Sequence, residues 1–186
     1  MDPISIFQSA IDQTGAIVAG VKADHLPATT PCTEWDVRAL LNHTIAAVLM
    51  FDTAARGGEF DGSIFAADQV GSDPAASYEA AAARLREALE EPGVLEAMWN
   101  MPFGTVPGMM AIGFATLELA QHGWDIAKAT GQQPEFDALV TETALSTAKM
   151  TPSEFVRVPG VFGPEADCPP DAPAHDQLAA FMGRQL

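Results

Sequence analysis

The sequence predicts an all-α protein built as a four-helix bundle, and three observations carry that expectation. Apolar residues recur at three- and four-residue intervals over long stretches, helix start and stop signals bracket those stretches, and one long polar connection interrupts the series. Amphipathic helices joined in this way bury their apolar stripes best as an antiparallel bundle. At 186 residues the chain can bury a real core without disulfides. It shows no internal repeat and no second domain, so residues 1–186 are read as a single helical domain.

Helix one is expected over residues 5–22, where Ile4, Phe7, Ile11, Val18 and Val21 share a face. A turn-rich loop over residues 25–32 contains Pro27 and Pro31. Thr33 reads as the next N-cap, with Asp36 in the place of a capping-box acid, so helix two should start at Glu34 and end near Ala55, before Gly57-Gly58. Residues 57–72 are rich in Gly and Asp and read as loop. Asp73-Pro74 is an N-cap followed by proline at the first helical position, opening helix three through the alanine-rich residues 75–90. Pro102, Gly104 and Pro107 make residues 98–107 an extended excursion or a short hairpin. Helix four covers residues 108–130 and closes on Gly131, a suitable left-handed C-terminal residue. A shorter fifth helix is expected over residues 137–150. Pro152, Pro159, Pro164, Pro169, Pro170 and Pro173 bar long helices from residues 151–174, so this tail should wrap the bundle before a last turn near residues 177–182.

The charge excludes several functions. Nine Lys+Arg face 25 Asp+Glu, a net charge of −16 that repels phosphate backbones and anionic lipid. No segment is apolar over the length needed to span a bilayer, and no basic region precedes an apolar one at the N-terminus. Nucleic acid and membrane are therefore not expected partners, and a cytoplasmic location is. Cys32 and Cys168 form neither a disulfide framework nor a zinc-finger spacing, and read as two reduced thiols. Cys32 precedes a helix start, where a thiolate would be favoured, but a small buried apolar role in a turn is the simpler reading. His25 and His175 read as surface loop residues. No nucleophile elbow, phosphate loop or dinucleotide fingerprint is present.

Chemistry concentrates on two helices. Glu118 and His122, four residues apart, share one helical face, and the surrounding stretch, residues 109–120, is otherwise almost wholly apolar. A carboxylate buried alone there would cost several kcal/mol, so something must compensate it. A divalent metal held by Glu118, His122 and a third ligand, His43 of apolar helix two, meets that need. The ordinary alternative is an internal carboxylate–imidazole hydrogen bond, with His43 a hydrogen-bonded core histidine. Two imidazoles and one carboxylate make an open site with a position left for water or substrate, and they suit zinc, nickel or iron. Ala46, Ala47 and Ala115, one turn from the ligands, would leave room above a metal or simply allow close helix packing. Asp125, three residues after His122, would orient a ligand or carry a proton, or else lie as a charge near the helix end.

At these residues the chain resembles a known family. Thr30-Pro31-Cys32-Thr33-Glu34-Trp35-Asp36-Val37 followed by Leu40-Leu41-Asn42-His43 is similar to the opening of the metal-binding domain of actinobacterial mycothiol-dependent maleylpyruvate isomerases, within the DinB/YfiT-like superfamily. Glu118-Leu119-Ala120-Gln121-His122-Gly123-Trp124-Asp125 resembles its second hallmark, and Val161-Phe162-Gly163-Pro164 through Gly183-Arg184 resembles the ending of its short, single-domain branch. The resemblance implies a DinB-like bundle and a divalent metal, usually zinc, on His43, Glu118 and His122. Trp35 and Trp124 match family positions and read as core packing. The characterised isomerase has a further C-terminal domain contributing to its active site, which this chain does not match, so fold and metal carry over more readily than maleylpyruvate isomerisation.

The leading functional expectation is an enzyme in which the metal activates a low-molecular-weight thiol, mycothiol by resemblance, for S-transfer to, or isomerisation of, a small electrophile. Hydrolysis by activated water and non-catalytic binding of a metal or small ligand are the alternatives. A monomer and a homodimer are equally compatible with the sequence.

Overall fold

Aspartates start the first three long helices. A computed structural model describes residues 2–152 and 162–186, and in it Asp2, Asp36 and Asp73 each accept a hydrogen bond from the backbone N–H three residues on, at 3.1, 2.8 and 3.0 Å. They open α1 (Pro3–Ala19), α2 (Val37–Ala55) and α3 (Pro74–Leu89). Proline at the first helical position follows two of them, where its missing N–H costs nothing. A hairpin of β1 (Met98–Met101) and β2 (Gly104–Pro107), with Met98 opposite Pro107, leads directly into α4 (Gly108–Ala129). Then come α5 (Ala138–Met150) and the short α6 (Ala174–Phe181).

Three boundaries differ from expectation, the first being the end of helix one, which stops at Ala19 with Gly20 as its C-cap rather than running to residue 22. Helix one starts earlier, because Asp2-Pro3 is the same cap-and-proline signal as Asp73-Pro74. Helix two starts at Val37 rather than Glu34, with Asp36 and not Thr33 as its cap. The Thr30 hydroxyl accepts the Cys32 N–H at 3.1 Å and lies 2.8 Å from the Trp35 carbonyl oxygen, while the Val37 and Arg38 N–H groups donate to Ala28 and Leu26. Those bonds hold residues 30–36 as a turn and leave no helical partner for Glu34. The last turn is a full helix, and His175 stands on it rather than in a loop. Gly131 closes α4 with φ +70° as expected. Pro159 and Val161 lie outside the described residues.

The fold is a DinB-like helical bundle. α4 packs on α1 and α2, and α3 packs on the same two from the other side, so α1, α4, α2 and α3 follow one another around the core. Phe7, Ile11, Leu40, Leu41, Ile45, Leu85, Leu119 and Ile126 fill it, each essentially without exposure. Burying each such side chain stabilises the fold by about 1.5–3 kcal/mol. Polar handles are satisfied across helices: Tyr78 donates to the Ile11 carbonyl at 2.9 Å and Thr14 to that of Leu119 at 3.1 Å. α5 and α6 cover α4, and the hairpin lies against α2 and α4.

One buried charge fastens α2 to α3. Asp52 is fully buried and receives Arg56 and Arg84, each at 2.8 Å. The two guanidiniums remain partly in water, whereas the carboxylate does not. Removing both arginines therefore strands the buried charge, while neutralising Asp52 only returns two cations to solvent. In urea denaturation the double variant Arg56→Ala/Arg84→Ala should lose about 3–5 kcal/mol and Asp52→Asn less, about 1–3 kcal/mol. The reverse order would mean that the arginines, not the carboxylate, carry the desolvation.

Candidate metal centre

α2 and α4 face one another where His43 and Glu118 meet. His43 Nε2 lies 2.7 Å from Glu118 Oε1, and His122 Nε2, one helical turn beyond Glu118, lies 3.3 Å from the same oxygen. The three side chains present donor atoms that all fall within 4.8 Å of one another. His122 is buried, whereas His43 and Glu118 keep 27% and 22% of their side-chain surface. The site thus has one closed side and one open side.

Aromatic rings and a second carboxylate hold the imidazoles in place. His43 stands between Trp35 and Phe65, with ring centroids 4.6 and 5.2 Å away. Trp35 is partly buried against the core and stands against His43 as well. The turn that displaces the start of helix two sets this indole against His43. Trp124, by contrast, is buried and donates to Asp176 at 2.8 Å. His122 Nδ1 lies 3.2 Å from Asp125 Oδ2, which favours a proton on Nδ1 and makes Nε2, 3.3 Å from Glu118, the nitrogen that would face a metal ion once deprotonated.

Asp125 is fully buried, and Arg184 compensates it. The guanidinium donates from Nε to Oδ1 at 2.9 Å and from Nη2 to Oδ2 at 3.1 Å, a fork that matches the carboxylate. Gln121 adds a third donor at 3.3 Å, and its own side-chain oxygen finds no partner among the described residues. The position of Arg184 depends on Gly183, whose φ of +85° reverses the chain after α6 and whose absent Cβ would meet Gly163 backbone atoms at 2.7–2.8 Å. Arg184 lies 5.1 Å from the Phe162 ring, which in turn faces His122 at 6.4 Å.

The electrostatics follow from the inventory. Burial opposes ionisation of Glu118, yet His122 and His43 outweigh it and hold the carboxyl at about 2. Burial likewise works against a charged His122, and Glu118 and Asp125 override it and push its pKa up. With both imidazoles neutral, two carboxylates and one guanidinium leave one net negative charge in a largely enclosed site. That donor set fits a divalent ion. A tetrahedral zinc with bonds of about 2.0–2.1 Å keeps its donors about 3.3 Å apart, which the His122–Glu118 pair matches. His43 and Glu118 stand at hydrogen-bond distance, 2.7 Å, and would have to part to admit an ion.

Of the residues singled out in the sequence, His43, Glu118, His122 and Asp125 come together. Ala47 opens onto a cavity beside the site, whereas Ala46 and Ala115 are buried in the helix packing. Cys32 is buried, and burial pushes its thiol up despite the nearby Arg184, which agrees with a packing role. Sequence reasoning missed the role of Arg184. Its one signal was a guanidinium directly after the apolar run Phe181-Met182-Gly183 near the chain end.

The family model of the mycothiol maleylpyruvate isomerase N-terminal domain matches residues 7–127. The chain belongs to that family. The match includes His43, Glu118, His122 and Asp125 and stops short of Arg184. Two relatives from Mycobacterium tuberculosis, the uncharacterized proteins Rv0738 (strain H37Rv) and MT0763 (strain CDC 1551), are each 36% identical over 193 aligned positions covering all of both chains. The crystal structure of the mycothiol-dependent maleylpyruvate isomerase shares the fold at a TM-score of 0.60 and 13% identity, over 78% of this chain and 68% of that one. A variant of the same enzyme matches at a TM-score of 0.59. Among the described residues of this family member, no helix is long and apolar enough to cross a membrane.

Arg184 should be as necessary to the site as any donor. Replacing it with methionine keeps the bulk and leaves Asp125 buried without its cation, so stability should fall by about 3–5 kcal/mol in chemical denaturation. The double variant Arg184→Met/Asp125→Leu should recover much of that loss. No recovery would show that Arg184 acts through packing alone.

Proposed function

We propose that the protein is a metal-dependent enzyme that uses a small thiol, mycothiol, for S-transfer or isomerisation at an electrophilic carbon. The observation that carries this reading is the convergence of two imidazoles and a carboxylate whose donor atoms all lie within 4.8 Å of one another. Family membership supports mycothiol as the thiol. His43, Glu118 and His122 would hold the ion, with zinc favoured by two nitrogens and one oxygen in a small, partly closed site. A divalent cation there would supply Lewis acidity, so that a bound thiol gives up its proton near neutral pH.

The chain's own groups have defined tasks in this scheme. Asp125 keeps the proton of His122 on Nδ1 and acts as a positioning residue. Both its oxygens are engaged and it is fully buried, which does not favour the proton-carrying role. Trp35 and Phe65 fix the His43 ring and keep water from its faces. The open side beside His43 and Glu118 admits the reactants. In S-transfer the sulfur pair forms a bond to carbon, and the leaving group departs with its own bonding pair. In isomerisation the sulfur adds to a conjugated double bond and the displaced pair moves towards the carbonyl. Rotation about the resulting single bond precedes loss of the same sulfur, so the thiolate is regenerated.

Cobalt(II)-loaded protein titrated with mycothiol tests this directly. A saturable sulfur-to-cobalt charge-transfer band in the near ultraviolet is expected, abolished by His43→Ala. Cobalt binding with no such band at any thiol concentration would overturn the thiol chemistry and favour activated water or simple metal storage.

A further inference from the structure

The space beside the metal donors has a chemical character that the donors themselves do not explain. A cavity of about 430 Å³ has His43 and Glu118 in its wall. Among the described residues lining it, only these two and Thr151 carry polar side chains, and no lysine or arginine takes part. The remaining wall is dominated by four methionines and five phenylalanines drawn from several elements. Met50 and Phe51 come from α2, Met101 and Phe103 from the hairpin, and Phe114 from α4, where it meets Phe103 at 4.8 Å. Phe103 and Met110 are about half exposed and mark the solvent side.

On the other side of His43 the chemistry is reversed. A cleft there is lined by Asp36, Arg38, Asn42 and Asp68 as well as Trp35, and Arg38 pairs with Asp68 at 3.0 Å. His43 and Phe65 belong to both walls. His43 therefore stands between a polar cleft and an apolar cavity, which offer two separate approaches for two reactants of different character.

Size and solvation define the occupant of the apolar side. An apolar cavity of about 150 Å³ accepts benzene, so this one has room for a ligand of roughly two to three such rings or an equivalent chain. Methionine walls adapt to several shapes. Among the described residues, a ligand carboxylate placed there in the metal-free protein would lose its water with no cation of the wall in return, at a cost of several kcal/mol. We propose that this cavity is the acceptor subsite of the metal centre, that it selects an uncharged, largely apolar electrophile over a dicarboxylate, and that the hydrophilic thiol enters from the Arg38–Asn42 cleft. The assignment as acceptor subsite rests on the thiol reading above, whereas the selectivity is a property of the cavity alone.

The two parts can be separated by calorimetric titration of metal-free and zinc-loaded protein, without thiol, using dibutyl maleate and maleate. The two probes share one cis alkene and differ in charge and apolar surface. The ester should bind at least tenfold more tightly than the dianion to the metal-free protein, with a negative heat-capacity change, and zinc loading, which adds a cation at the cavity wall, should narrow that preference. Ala47→Phe fills the cavity and should cut ester binding at least tenfold. Met110→Arg, at the half-exposed rim, provides a second variant with little risk to folding and should shift the preference towards maleate. Maleate binding as tight as the ester in metal-free wild type, or ester binding unchanged in both variants, would overturn the proposal while leaving metal uptake and the thiol band intact. Tight ester binding by a protein that shows no thiol band with cobalt would overturn the acceptor assignment together with the thiol reading.

Discussion

A carboxylate that cannot be left alone organises this protein. Glu118 lies on the inner face of α4, where the bundle offers little water, and every neighbour answers its charge. His43 reaches it from α2 at 2.7 Å and His122 from one turn along α4. His122 then needs a partner for its second nitrogen, which is Asp125, and Asp125 brings a second buried charge that Arg184 compensates from the far end of the chain. The chain of compensation stops one positive charge short if the imidazoles are neutral. A divalent cation removes that deficit, and protonation of a histidine is the alternative open to the metal-free protein.

The same logic explains why the C-terminal segment belongs to the site. α6 contributes to the cover of α4, and the left-handed Gly183 turns the chain so that Arg184 forks onto Asp125. A bidentate guanidinium fixes the carboxylate in both position and plane, and through it the tautomer of His122. Arg184 lies outside the part of the chain that the family model matches, although the full-length relatives cover its position. The Asp52 cluster is a second instance of a buried carboxylate with paired arginines, but it joins α2 to α3 away from the donors and has a structural task only.

How far the sequence could be read depended on the range of the interactions involved. Glu118, His122 and Asp125 were visible because helical spacing alone puts them on neighbouring faces, and their apolar surroundings made a buried charge conspicuous. The helix count and the hairpin followed from periodicity and from the proline and glycine stops. The start of helix two did not, since Thr33 and Asp36 are both good caps and tertiary bonds from Thr30 and Ala28 decided between them. Arg184 was hidden by a sequence separation of 59 residues from Asp125. The cavity was hidden for a different reason. Its methionines and phenylalanines read as core stripes on each element, and only their assembly leaves a space between them.

His43 joins these levels. It is held by Trp35 and Phe65, bonded to Glu118, and shared by a polar cleft and an apolar cavity. The proposed chemistry requires that His43, Glu118 and His122 hold a metal ion. The most direct measurement is elemental analysis of protein purified without added metal or a histidine-rich tag, on wild type and on His122→Ala. Near-stoichiometric zinc in the wild type and its loss in the variant is the predicted result. Wild type that carries no metal and takes none up on titration would contradict the account and leave the three side chains as a hydrogen-bonded structural cluster.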